Sequence, residues 1–111
     1  MLFGFIIRQP YTDNGATWTV NKTFYGSTST ATSTKKTPSI SCDGNNITVA
    51  YIDTNSVIVG ISTDNGLTWT WSNPVTSCAS DFVSVERRGQ RIYVVYNTLT
   101  TSACGYGDIV F

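Results

Sequence analysis

Residues 11–20, YTDNGATWTV, and residues 62–71, STDNGLTWTW, are one phrase written twice. Thr, Asp, Asn and Gly align, and after one variable residue so do Thr, Trp and Thr. The two aspartates, Asp13 and Asp64, lie 51 residues apart. A step of roughly that size marks a solenoid, a propeller or an array, and four short strands with their turns fit it. A looser echo supports the period: NITVAY, 46–51, returns as RIYVVY, 91–96, each after a polar turn containing glycine.

The rest of the chain reads as strand and turn. Period-2 or β-branched runs occupy 2–7, 39–42, 46–52, 56–62, 67–71, 82–86, 91–97 and 108–111. Turn signals separate them at Asp13-Asn14-Gly15, Asp43-Gly44-Asn45, Asp64-Asn65-Gly66 and Arg88-Gly89-Gln90. No long window carries helical spacing. The Thr/Ser tract 26–38 lacks apolar periodicity and is expected to be a long loop ending at Pro38. The fold expected is all-β: antiparallel four-stranded propeller-type blades, about two per chain, in a single unit over 1–111.

Within the phrase, Asn-Gly between strand residues favours a type I′ turn, with positive φ at both central positions. The preceding Asp is placed to accept backbone N–H groups across the turn. The Trp that follows can cover the hairpin and fill space between sheets. Each copy therefore predicts a clip of turn, carboxylate lock and indole plug. Trp71 is expected to face away from Trp69, leaving one indole exposed.

The spacing has a known counterpart. Ser62-x-Asp64-x-Gly66-x-Thr68-Trp69 matches the Asp-box, or bacterial neuraminidase repeat, in full. Residues 11–18 match through Asp13, Gly15, Thr17 and Trp18, with Tyr11 in place of Ser or Thr. The chain thus resembles the sialidase-like Asp-box β-propellers. The resemblance implies that each box joins the third and fourth strands of a blade, at the periphery and away from the catalytic face. It also implies what a sialidase needs: an arginine triad, a Tyr–Glu nucleophile pair and an Asp acid/base. Arg8-Gln9-Pro10 stands directly before a box, where the family's Arg-Ile-Pro signature normally lies well upstream. Arg87, Arg88 and Arg91 fall in one turn, expected to be exposed, and make no triad within one copy. Glu86 is the sole Glu and Tyr93 the nearest Tyr in sequence. No catalytic residue is assigned.

About two blades cut out of phase leave bare sheet edges, which proteins avoid. Either copies assemble into a homo-oligomer, or the chain is part of a longer one. Three copies give roughly six blades, within the usual range of 4–8.

Composition narrows the function classes. Charged residues are 13% of the chain, about half the usual globular share of roughly 25%. Net charge is zero and no basic stripe exists, so a nucleic-acid partner is not expected. There is no His, which removes the usual general base and the commonest metal ligand. No metal and no cofactor is expected. Asp43-Gly44-Asn45-Asn46 lacks the later Glu of a calcium loop and reads as a hairpin turn. Cys42, Cys78 and Cys104 show no CxxC spacing; the odd count allows at most one internal disulfide, and buried unpaired Cys is the favoured reading. The apolar start MLFGFIIRQP is too short to span a bilayer and lacks a basic n-region, so it reads as a strand and no membrane partner is expected.

The leading functional expectation is a non-catalytic binding or interaction module, extracellular or on the cell surface, recognising carbohydrate through aromatic side chains such as Trp71 and Tyr106. The alternatives are a fragment of a sialidase-type glycoside hydrolase and a purely structural repeat unit of a larger assembly.

Overall fold

A computed structural model describes residues 3–5, 16, 22–24, 35–100 and 109–110 of the 111-residue chain. Among them every regular element is a strand. β1 (Phe3–Phe5) pairs antiparallel with β2 (Lys22–Phe24). β3 (Lys35–Asp43), β4 (Asn46–Asp53), β5 (Ser56–Ser62) and β6 (Thr70–Val75) form an antiparallel meander in sequence order. β7 (Ala79–Arg88), β8 (Arg91–Thr98) and β9 (Ile109–Val110) form a third antiparallel sheet.

Tight turns fix the register. Gly44 (φ +59°) and Gly89 (φ +58°) each take the first position of a two-residue hairpin, where the left-handed backbone favours glycine. Thr54 takes the same position between β4 and β5 at φ +59°, an uncommon place for a β-branched residue. β3 begins earlier than the sequence suggests. Lys35 and Lys36, expected within the loop, pair with Asp53 and Ile52 at the end of β4, and a bulge at Thr37 (φ +51°) and Pro38 follows. The bulge interrupts the period-2 pattern, which hid the strand. The fourth strand begins later than expected, at Thr70 rather than Leu67, because 63–69 form the connection itself.

β4 is buried on both sides. Ala50 and Ile52, with Val57 and Val59 of β5, meet Ala79, Val83 and Val85 of β7, so this face joins the four-stranded sheet to the β7–β8–β9 sheet. On the opposite face Ile47, Val49, Tyr51 and Ile58 form a second cluster against Trp69 and Trp71. The near-continuous apolar run of β4 and β5 is the sequence signature of strands covered on both faces.

The two sheets are also stitched by polar groups. Ser39 Oγ accepts Val85 N–H at 3.1 Å, and Ser41 Oγ accepts Arg87 N–H at 2.9 Å. Asp43 Oδ2 accepts Gly89 N–H at 2.5 Å. Arg87, expected in an exposed turn, is instead 5% exposed. Its guanidinium donates to Gly89 O at 3.0 Å and to Thr48 Oγ1 at 3.2 Å. Strand alternation inside β7 puts Arg87 on the inner face and Arg88 on the outer one.

Candidate functional site

Three places concentrate chemistry-bearing side chains. The first is the turn 62–69, which joins the third and fourth strands of the meander. Asn65 (φ +63°) and Gly66 (φ +86°) are both left-handed, and Leu67 N–H donates to Asp64 O at 3.4 Å across them. The Asp64 carboxylate accepts Thr68 N–H at 2.9 Å, the Thr68 hydroxyl at 2.5 Å and the Ser62 hydroxyl at 2.8 Å. Ser62 Oγ in turn accepts Gly66 N–H at 2.8 Å, and Trp69 Nε1–H donates to Gly66 O at 3.0 Å. Every conspicuous side chain of the phrase is thus engaged inside it. The Thr68 hydroxyl and N–H, then the Ser62 hydroxyl, hold the Asp64 pKa down at about 2. A carboxylate so held is a structural acceptor, not a proton donor near neutral pH.

Trp71 does not face away from Trp69. Their rings stack with centroids 5.8 Å apart at 21°, and Trp71 meets Tyr51 edge-on at 6.2 Å. Residues two apart in an extended chain share a face, so alternation pairs these indoles instead of separating them. Trp71 also lies over Gly60, where an added Cβ would run into the indole ring. Packing within the chain accounts for this indole without a ligand. Asp13, Gly15, Thr17 and Trp18 of the first copy, and Tyr106, lie outside the described residues.

The second place is at the other end of β4. Lys35 Nζ lies 3.4 Å from Asp53 Oδ2, the two being cross-strand partners with side chains 3% and 2% exposed. Burial, and secondarily the Asp53 charge, pushes the fully buried Tyr51 hydroxyl up to about 12. The sequence does not reveal this cluster, because Lys35 lies in the Thr/Ser tract 26–38, which has no apolar periodicity. A lysine two residues ahead of Thr37-Pro38 is its only local mark.

The third is the outer face of the β7–β8 sheet. Register sets Glu86 directly opposite Tyr93, so the sole Glu and its nearest Tyr are neighbours in space as well. Arg88 Nε donates to Glu86 Oε1 at 2.7 Å. Ser84, Glu86, Tyr93 and Val95 line a shallow depression of about 190 Å³, and Tyr93 is 52% exposed. The depression is open and carries a single carboxylate, already paired with a guanidinium. Asp81, the other acid of β7, pairs with Lys36. The arrangement is a Tyr–Glu pair and differs from the two facing carboxylates that most glycoside hydrolases use.

The two described cysteines depart from the favoured reading in different ways, Cys42 being unpaired but exposed and Cys78 being paired, as the odd count allowed. Asp43, expected in a hairpin turn, also serves as an acceptor between sheets. Among the described residues no helix is long and apolar enough to cross a membrane. Comparison with protein-family models, with curated proteins and with solved structures finds no match.

Proposed function

We propose that this chain is a run of Asp-box β-propeller blades acting as a non-catalytic interaction module. One observation carries the reading: the β3–β4–β5–β6 meander has its carboxylate-locked turn between the third and fourth strands, and a second sheet packs face-on beside it. That is where the resemblance places a box in a blade. The side chains that draw attention in the sequence, Asp64 and Trp69, are engaged in holding the corner. The disulfide at Cys78 favours an oxidising, extracellular setting.

Carbohydrate recognition, if it belongs to this module, falls to the outer β7–β8 face rather than to Trp71. Tyr93 there is an exposed ring beside a carboxylate and a guanidinium, the chemistry that stacks on and hydrogen-bonds to sugars. A second reading, the sialidase-type fragment, draws on the same pair, Glu86 opposite Tyr93.

A fluorogenic sialoside separates the two. The module reading expects no turnover by the chain at any pH. Hydrolysis that disappears in Glu86→Gln and Tyr93→Phe would replace it with the hydrolase reading. Glycan-array binding without turnover, lost in Tyr93→Ala, would assign the ligand class.

A further inference from the structure

The contact between the two sheets has a constant step. Ser39 serves Val85, Ser41 serves Arg87 and Asp43 serves Gly89, always 46 residues on. β7 is the first strand of its sheet, so these are edge N–H groups that β8 does not use. Alternate side chains of one strand therefore satisfy the bare edge of the next sheet.

Both halves of this contact occur a second time, with no such contact made to them among the described residues. The hairpins at Gly44 and Gly89 superpose the strands at a step of 45, since Ile40 opposite Val49 is the same register position as Val85 opposite Val94. Ser39, Ser41 and Asp43 then correspond to Ser84, Glu86 and Arg88. These lie on the outer face of β7 beside Tyr93. On the other side, the edge N–H groups equivalent to those of Val85, Arg87 and Gly89 belong to Ile40, Cys42 and Gly44 of β3. β3 is likewise the first strand of its sheet. Val85 and Arg87 are buried at 7% and 5% exposure, whereas Ile40 is 45% exposed and Cys42 and Gly44 are exposed. Ile40 shares its face with buried Val49, so β3 is an open strip beside a covered one.

We propose that a second copy of this chain docks head to tail, its β3 strip against the outer face of β7, in the register of the contact already made within the chain. Ser84 Oγ takes the partner copy's N–H at position 40. Glu86 keeps Arg88 on Oε1 and offers Oε2 to the N–H at position 42. Arg88 has no acceptor to offer where Asp43 has one, so the intermolecular ladder is one rung shorter. The exposed Tyr93 ring and the exposed Ile40 side chain become buried. Such a contact is heterologous, and repeats until it closes or extends. The proposal deepens the interaction-module reading by naming its partner, and rests on that reading only for the sheet-on-sheet mode of contact.

Sedimentation velocity on the full chain tests it. The average mass should rise at least twofold over the monomer as concentration increases. Ser84→Arg and Glu86→Lys on the donating face, and Ile40→Arg on the receiving strip, should each hold the mass at that of a monomer. Far-UV circular dichroism and the unfolding midpoint check that each variant is folded. Mixing Ser84→Arg with Ile40→Arg leaves one intact contact per pair and should restore dimers, but nothing larger. A wild-type chain monomeric at every concentration would overturn the proposal, as would association that persists in all three variants. Sugar binding at Tyr93 by a monomeric chain would also overturn it, while leaving the module reading standing.

Discussion

Asp64 shows how one side chain can decide a corner. Both of its oxygens are engaged, and its pKa falls to about 2 because Thr68 and Ser62 donate to the ionised form. An unfolded Asp titrates near 3.9, so the folded state binds its proton less readily. The stabilisation is therefore complete above about pH 4 and is lost as pH falls toward about 2. Asp64→Asn should unfold at a lower temperature than wild type at pH 6, with the gap narrowing steadily on acidification. Melting curves at stepped pH check this; a gap unchanged at pH 2 would refute it. Thr54 is the opposite case, a residue that its position does not suit. At φ +59° its branched Cβ is strained, whereas Asn tolerates that backbone. Thr54→Asn should stabilise the chain by about 1 kcal/mol in urea unfolding, the lower end of the usual cost of such strain. Gly60 allows no side chain beneath the Trp71 ring. Gly60→Ala should cost about 1–3 kcal/mol, the usual penalty of overpacking, and should change the near-UV signal of the displaced indole.

The strands separate what a linear pattern reveals from what it hides. β4, β5 and β8 were legible almost to their ends, because apolar periodicity and glycine turns act over a few residues. The turn at 62–69 was legible as well, since the bonds that lock it run between residues no more than four apart in sequence. The start of β3 was not, because the bulge at Thr37 breaks the alternation. The roles of Ser39, Ser41 and Asp43 were hidden too: their partners lie 46 residues away, and nothing local marks a serine as an acceptor between sheets. The burial of Arg87 follows from the same distant contact. Ser39→Ala and Ser41→Ala should each leave an edge N–H without an acceptor and cost about 1–2 kcal/mol. Amide exchange should localise the loss, with Val85 deprotected in Ser39→Ala and Arg87 in Ser41→Ala. Uniform loss of protection along β7 would show instead that the sheets are held by apolar packing alone.

At the scale of the molecule, the two larger sheets share one apolar cluster. Ala50, Ile52, Val57 and Val59 come from the meander, while Ala79, Val83 and Val85 come from β7. Neither set can be removed from water without the other, so the sheets should melt as one unit. Trp69 and Trp71 sit on the far face of the meander, in a cluster that β7 does not join, and so report on the four-stranded sheet separately once Trp18, the third indole, is replaced by Phe in every chain compared. Far-UV circular dichroism reports on both sheets together. Ile52 is fully buried at the junction, and cutting it back to alanine removes three methyl or methylene groups from the shared cluster. Ile52→Ala should lower unfolding free energy by about 2–5 kcal/mol, the range for truncating a buried aliphatic residue. If the junction couples the sheets, tryptophan fluorescence and circular dichroism will shift to lower urea together and remain superimposable. If each sheet stands alone, Ile52→Ala will split the curves, with the indole signal lost before part of the strand signal.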